Sequence, residues 1–212
     1  MHRTFLKHKL VAAIAAPFAL VMALVLACLW AQPAMAASPA EQFVADNVQK
    51  GLAILNNTQM SKDQRRSDFR SFLLNLTDIK AIADYTLGQY RRTASPDDLA
   101  TYEAAFRDYA LGVYQSYFNK YSGQTLQVTG SYALGSDETV VKTVMVDPKK
   151  PSGKPLEVDF RVVTQGPRMV VVDFSVEGVW IRELERNDFT SYLGQNGGNL
   201  ALLTQNLRKK TQ

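Results

Sequence analysis

The chain has 212 residues, a formal net charge of +4, two histidines and one cysteine, and those three residues are His2, His8 and Cys28. Beyond Cys28 there is neither imidazole nor thiol, which excludes Ser-His-Asp and Cys-His catalysis and nearly all zinc chemistry from the rest of the chain. The net charge is concentrated at the start as well: Arg3, Lys7 and Lys9 precede any acid, and without them residues 37–212 carry only +1. A near-neutral chain has no electrostatic footprint for nucleic acid.

Residues 1–36 read as a cleavable export signal. The basic start is followed by an almost wholly apolar run from Leu10 to Leu29, broken once by Pro17, and then by Ala34-Met35-Ala36. Small residues at the two positions a signal peptidase reads place the cut after Ala36. Two other readings stand beside this one. The apolar run is long enough to span a bilayer as an uncleaved anchor. A lipoprotein signal would use Val25-Leu26-Ala27-Cys28, but Leu26 is bulky where a small residue is usual, and Leu29 and Trp30 continue the apolar run. Residues 37–212 suit a single domain that buries roughly 70% of its unfolded surface. With no cysteine among them, they form no disulfide.

The next segments announce helix starts. Ser38-Pro39-Ala40-Glu41 is a capping box with proline at the first helical position. Ser61-Lys62-Asp63-Gln64 repeats the device, and Ser95-Pro96-Asp97-Asp98 is a variant with aspartate. Thr77 is expected to cap a short helix ending near Leu87-Gly88, where glycine takes the left-handed conformation. The longest of these four helices runs from about Pro96 to Tyr121. Leu99, Tyr102, Phe106, Tyr109, Val113, Tyr117 and Tyr121 form one apolar, aromatic stripe along it. Most such stripes are core, but the tyrosines of this one need partners or a wet edge, and a partly open cavity supplies such an edge.

The period then changes. Leu156, Val158, Phe160 and Val162 alternate with Glu157, Asp159 and Arg161, and Val170, Val172, Phe174 and Val176 form a second such run. Thr125 to Leu134 and Glu138 to Val146 supply two more strands, and Asp147 to Pro155 is a proline- and lysine-rich connection. Helices followed by strands give an α+β fold with an antiparallel sheet of about four strands. A helix near Arg186 to Leu193, stopped by Gly194, and a last helix capped by Asn199 and reaching about Lys209 close the chain.

Candidate chemistry is sparse. A two-carboxylate hydrolase needs paired acids facing a cavity. Glu157 and Asp159 lie opposite the apolar face, and Asp173 and Glu177 flank the end of a strand, so these read as exposed strand charges. Arg65-Arg66, Arg91-Arg92, Lys149-Lys150 and Arg208-Lys209-Lys210 read as solvated surface that together could form a docking rim for anionic head groups or an acidic partner. There is no glycine-rich phosphate loop and no metal-ligand spacing.

The wording of several segments resembles a known family. These are Leu87 to Pro96 ("LGQYRRTASP"), Thr101 to Val128 ("TYEAAFRDYALGVYQSYFNKYSGQTLQV"), Val146-Asp147-Pro148, Val158-Asp159-Phe160, and Val170 to Phe189 ("VVVDFSVEGVWIRELERNDF"). Together they are similar to the MlaC-type periplasmic phospholipid-binding proteins, the toluene-tolerance auxiliary family, to which hopanoid-associated members are related. Trp180 departs from the family, where serine often follows Glu-Gly-Val, and this leaves the exact lipid open. The resemblance implies helices packed on a curved antiparallel sheet, with acyl chains buried in an apolar cavity between them and the head group near the surface. It implies a periplasmic carrier without catalytic residues or cofactor, its cargo a phospholipid. Its implied partners are an inner-membrane ABC lipid transporter with a lipid-binding domain and an outer-membrane lipoprotein complex. A hopanoid carrier of the same fold, or an exported adaptor holding no lipid, is the alternative. The apolar faces nominate Phe106, Tyr109, Val113 and Tyr117 of the long helix, and Val144, Val158, Phe160, Val172 and Phe174 of the strands, as pocket wall.

Overall fold

Ser38 closes both halves of its capping box: its hydroxyl accepts from the Glu41 N–H at 3.2 Å, and its own N–H donates to the Glu41 carboxylate at 3.1 Å. This opens α1 (Pro39–Leu55). The structure is a computed structural model that describes residues 37–150 and 153–211, and over 114–120 it describes the helix but not the side chains. The export segment, with His2, His8 and Cys28, therefore lies outside the described residues, as does the Tyr117 side chain. In α2 (Lys62–Leu76) the Ser61 hydroxyl accepts from the Gln64 N–H, while the Gln64 amide turns to Asp68 rather than back to the cap.

The cap of α3 (Ile79–Thr86) falls one residue later than expected. Asp78, not Thr77, accepts from the Ala81 N–H. Thr77 instead ends α2, donating its hydroxyl to the Leu73 carbonyl, and its extended backbone forms an isolated bridge with Val171. Gly88 follows with φ +52 and leads through a 3-10 turn (Gly88–Arg92) to α4 (Pro96–Lys120).

The sheet holds five strands in the order β1 (Thr125–Ala133), β2 (Glu138–Val146), β3 (Leu156–Gln165), β4 (Arg168–Val176) and β5 (Val179–Trp180), every neighbouring pair antiparallel. The fifth strand, beyond the four expected, is only two residues long. It pairs back on β4 through Glu177 and Gly178, both at positive φ, the conformation a tight two-residue hairpin demands. Between β3 and β4 the register passes from Arg161↔Asp173 to Val162↔Val171, which leaves Val172 as an extra, bulged residue.

From β5 the chain runs straight into α5 (Ile181–Gln195). That helix begins five residues before the expected Arg186 and continues through Gly194. Trp180 caps it without a side-chain hydrogen bond, so no local signal marks the start. The left-handed residues that stop it are Gly197 and Gly198, the latter donating its N–H to the Leu193 carbonyl at 2.7 Å. Asn199 caps α6 (Leu200–Lys210) as expected.

Two cores result. Helices α3 to α6 pack around Leu87, Tyr102, Phe106, Phe189, Leu193, Leu203 and Leu207. The Tyr102 phenol, fully buried, finds its partner within this core: it lies 2.7 Å from the Thr86 hydroxyl, which in turn bonds the Ala83 carbonyl. So the wet edge expected for this tyrosine is not needed. The second core lies between α1 and the sheet, where Ala40 and Val44 meet Val141, Val162 and Val171. One charge reading is overturned here. Glu157 and Glu177 are exposed, but Asp173 is buried at 4% relative exposure.

Candidate lipid-binding site

A cavity of about 40 Å³ lies where the two cores meet. Thr77 and the α3 residues Ile79 and Ile82 form one wall, and Phe106, Ala110 and Val113 of α4 a second. Residues 171–174 of β4 form the third, and Ile181, Arg182 and Glu185 of α5 the fourth. The bulge at Val172 shapes the strand wall. Around it four consecutive residues, Val171, Val172, Asp173 and Phe174, border the cavity.

Most of the lining is apolar, and its polar groups gather at one end. Asp173 Oδ1 accepts from the backbone N–H groups of Phe174 at 2.8 Å and Arg182 at 2.9 Å, and Oδ2 stands 3.8 Å from Arg182 Nε. Burial raises the Asp173 carboxyl above its usual range, with the contacts to Arg182 opposing the shift. Glu185 is pushed up to about 7, chiefly by burial and then by the neighbouring charges of Asp173 and Asp188. Arg182 also lies over the Tyr85 ring at 4.0 Å, and Arg186, one turn further along α5, lies over the same ring at 4.7 Å. The Tyr85 hydroxyl donates to Glu183, and burial raises the phenol's pKa first among its causes.

On the far side of this stack an open surface groove of about 490 Å³ is lined by Asp84, Tyr85, Gly88, Gln89, Arg92 and Arg186. The Arg182–Tyr85 contact thus joins an apolar interior to a polar, net cationic exterior. Among the described residues no group of three or more His, Cys, Asp or Glu side chains is placed to hold a metal ion, and no helix is long and apolar enough to cross a membrane.

Four of the nine nominated wall residues, Phe106, Val113, Val172 and Phe174, line this cavity. Tyr109 packs in the helical core against Phe106 and Phe189, with the Lys210 ammonium over its ring. Phe160 belongs to the core under α1. Val158 is buried, its carbonyl accepting from the Thr143 hydroxyl. Val144 is half-buried on β2 opposite Glu157. Tyr117 carries no described side chain. Trp180 is off the cavity wall, beneath the Arg161 guanidinium at 4.6 Å.

Sequence reasoning missed Ala110, Ile82 and the polar group of Asp173, Arg182 and Glu185. Ala110 was within reach of it, since it falls between Phe106 and Val113 on one helical face. The polar group gave no such signal, because strand alternation turns Asp173 away from Val172 and Phe174.

The architecture has a solved counterpart. The phospholipid-binding protein of Ralstonia solanacearum, determined in complex with a phospholipid at 1.53 Å, superposes with a TM-score of 0.70 at 20% identity, over 82% of this chain and 97% of that one. That likeness shows the fold. The family profile described as "MlaC protein" matches residues 45–209, from within α1 to the last turn of α6. The chain belongs to the MlaC family.

Proposed function

We propose that this protein is a periplasmic phospholipid carrier that holds acyl chains between its helical core and its sheet and passes lipid between membrane-bound complexes. The observation that carries the reading is the cavity itself: mostly apolar, lined by residues of two separately packed cores, with Arg182 among the polar groups of its wall. Its volume also has a mechanical consequence. Small-molecule pockets occupy about 300–1,000 Å³, so a cavity of about 40 Å³ takes up a lipid only if the seam between the cores widens. Because each core keeps its own packing, the seam separates without unfolding either one.

Energetics favour docking over release. Two acyl chains hold about 30 methylenes, each worth roughly 0.8 kcal/mol on leaving water, so escape into solvent opposes about 20 kcal/mol. Against a bilayer the difference is near zero, since both surroundings are oily. Handover is therefore set by contact with a partner. The partners proposed are those the resemblance implies, an inner-membrane ABC transporter with a lipid-binding domain and an outer-membrane lipoprotein complex. Export uses the signal over residues 1–36, cut after Ala36, which leaves residues 37–212 as one lipid-binding domain. The protein's part is binding and release, and no covalent step is assigned to it.

The test is native mass spectrometry of the protein purified without detergent from its periplasm. A bound mass of phospholipid is expected, and a hopanoid mass would redirect the cargo but keep the carrier. A folded protein that carries no lipid and takes none up from vesicles sinks the proposal. Val113→Trp, which fills the cavity from the half-exposed end of its α4 wall, is expected to lower bound lipid severalfold while the circular dichroism spectrum is kept.

A further inference from the structure

At its polar end the cavity is bordered by an ion pair, Asp173 and Arg182, whose facing atoms make no hydrogen bond within the protein. Asp173 Oδ1 is satisfied by two backbone N–H groups, but Oδ2 of the same carboxylate is buried and accepts no hydrogen bond, and the Arg182 Nε–H is buried with no acceptor. They stand 3.8 Å apart, too far to bond one another. The Asp173 side chain is 1% exposed and that of Arg182 13%, so bulk water does not compensate them. A buried ion pair that leaves a donor and an acceptor without hydrogen bonds recovers only part of its desolvation cost. A third atom can bridge them once the seam widens: one oxygen about 2.8 Å from each spans a 3.8 Å gap.

With Asp173 ionised in its pair with Arg182, that atom has to give a hydrogen to the carboxylate and accept one from the guanidinium. An ester carbonyl or a phosphate oxygen only accepts, a primary ammonium only donates, and a quaternary ammonium does neither. A hydroxyl does both. We infer that Asp173 and Arg182 form a hydroxyl-reading subsite of the lipid cavity, so that the protein prefers a lipid bringing a free hydroxyl to that end. This rests on the carrier reading and deepens it by naming the ligand's chemistry. Two lipids supply such a group: a monoacyl phospholipid, whose glycerol keeps a free hydroxyl, and a phospholipid whose head group carries one. The small cavity favours the first, because one chain needs less widening of the seam than two.

The experiment titrates the lipid-stripped protein with four ligands and reads displacement of a fluorescent fatty-acid probe. The ligands are palmitoyl monoacyl phosphatidylethanolamine, its 2-deoxy analogue, dipalmitoyl phosphatidylethanolamine and dipalmitoyl phosphatidylglycerol. The 2-deoxy analogue is expected to bind at least about tenfold more weakly than its hydroxylated parent, the scale of a lost hydrogen bond to a charged group. Asp173→Asn is expected to abolish that gap, because its amide points a second donor at Arg182. If the monoacyl pair binds equally but phosphatidylglycerol exceeds phosphatidylethanolamine tenfold, the subsite stands and the head group supplies the hydroxyl. Equal binding within both pairs overturns the inference, water then holding the position, and leaves the carrier intact. Binding of none of the four overturns the carrier reading and this inference with it. The comparison of ligands on the unaltered protein decides the matter even if Asp173→Asn does not fold.

Discussion

Glu185 sets the sign of a pH effect on stability. Its carboxyl titrates at about 7 in the folded protein against about 4.3 in an unfolded chain, so the folded state holds the proton more tightly. Stability from this group is therefore greatest below the unfolded value and falls as pH rises from about 4 to about 7. The groups that face it are Asp173, Asp188 and Lys210. Glu185→Gln, which stays neutral, is expected to be more stable than the parent by up to about 3 kcal/mol above pH 7, with the advantage vanishing near pH 4. Urea unfolding at the two pH values checks this, and an advantage independent of pH would contradict it. Gly88 is the second sensitive position. At φ +52 a Cβ would stand 2.9 Å from Thr190 Cγ2, so Gly88→Ala combines backbone strain with a clash. A loss of about 1–2 kcal/mol is expected, and adding Thr190→Ser should recover the steric share in a thermal melt.

Among the elements, those with local start signals were readable in advance, and those organised by distant partners were not. Ser38, Ser61, Ser95 and Asn199 each accept from a backbone N–H three residues on, because the bond joins residues already adjacent in the chain. Ser38 does more: its hydroxyl also meets that of Ser131 on β1 at 3.0 Å, tying the start of α1 to the sheet edge. Ser38→Ala is expected to cost about 1–2 kcal/mol, seen as a lower denaturation midpoint. By contrast, α5 starts at Ile181 only because β5 delivers the chain there, and Trp180 supplies no side-chain cap. The two-residue β5 was likewise invisible, being too short for any alternation to show. The cover over β4 had the largest consequence. Alternation put Asp173 on the face opposite Phe174, and it stands there beside Arg161, but α5 covers that face and its Arg182 N–H bonds the carboxylate, so the residue is buried rather than solvated.

For the molecule as a whole, the consequence of two cores meeting at a seam is that ligand and stability are coupled. Lipid bound at a hundred times its Kd adds about 2.7 kcal/mol, and a domain of this size shifts by about 2–4 °C per kcal/mol. Stripping the lipid is therefore expected to lower Tm by about 5–10 °C, with restoration on adding phospholipid back. An unchanged Tm after verified stripping would count against a ligand held between the cores.

By itself the sequence determined the class of fold, the helix caps at Ser38, Ser61, Ser95 and Asn199, the strand order in the chain and the absence of imidazole and thiol after Cys28. Each is a property of neighbouring residues, of periodicity or of composition. It also placed Phe106, Val113, Val172 and Phe174 on apolar faces, though not which of those faces would meet. Only the tertiary structure decided that the cavity lies against β4 and α5, that Tyr102 is satisfied by Thr86, and that Asp173 and Arg182 share its polar end. Those outcomes depend on which face of the sheet α5 covers and on the packing of helices far apart in sequence. Periodicity carries no record of either.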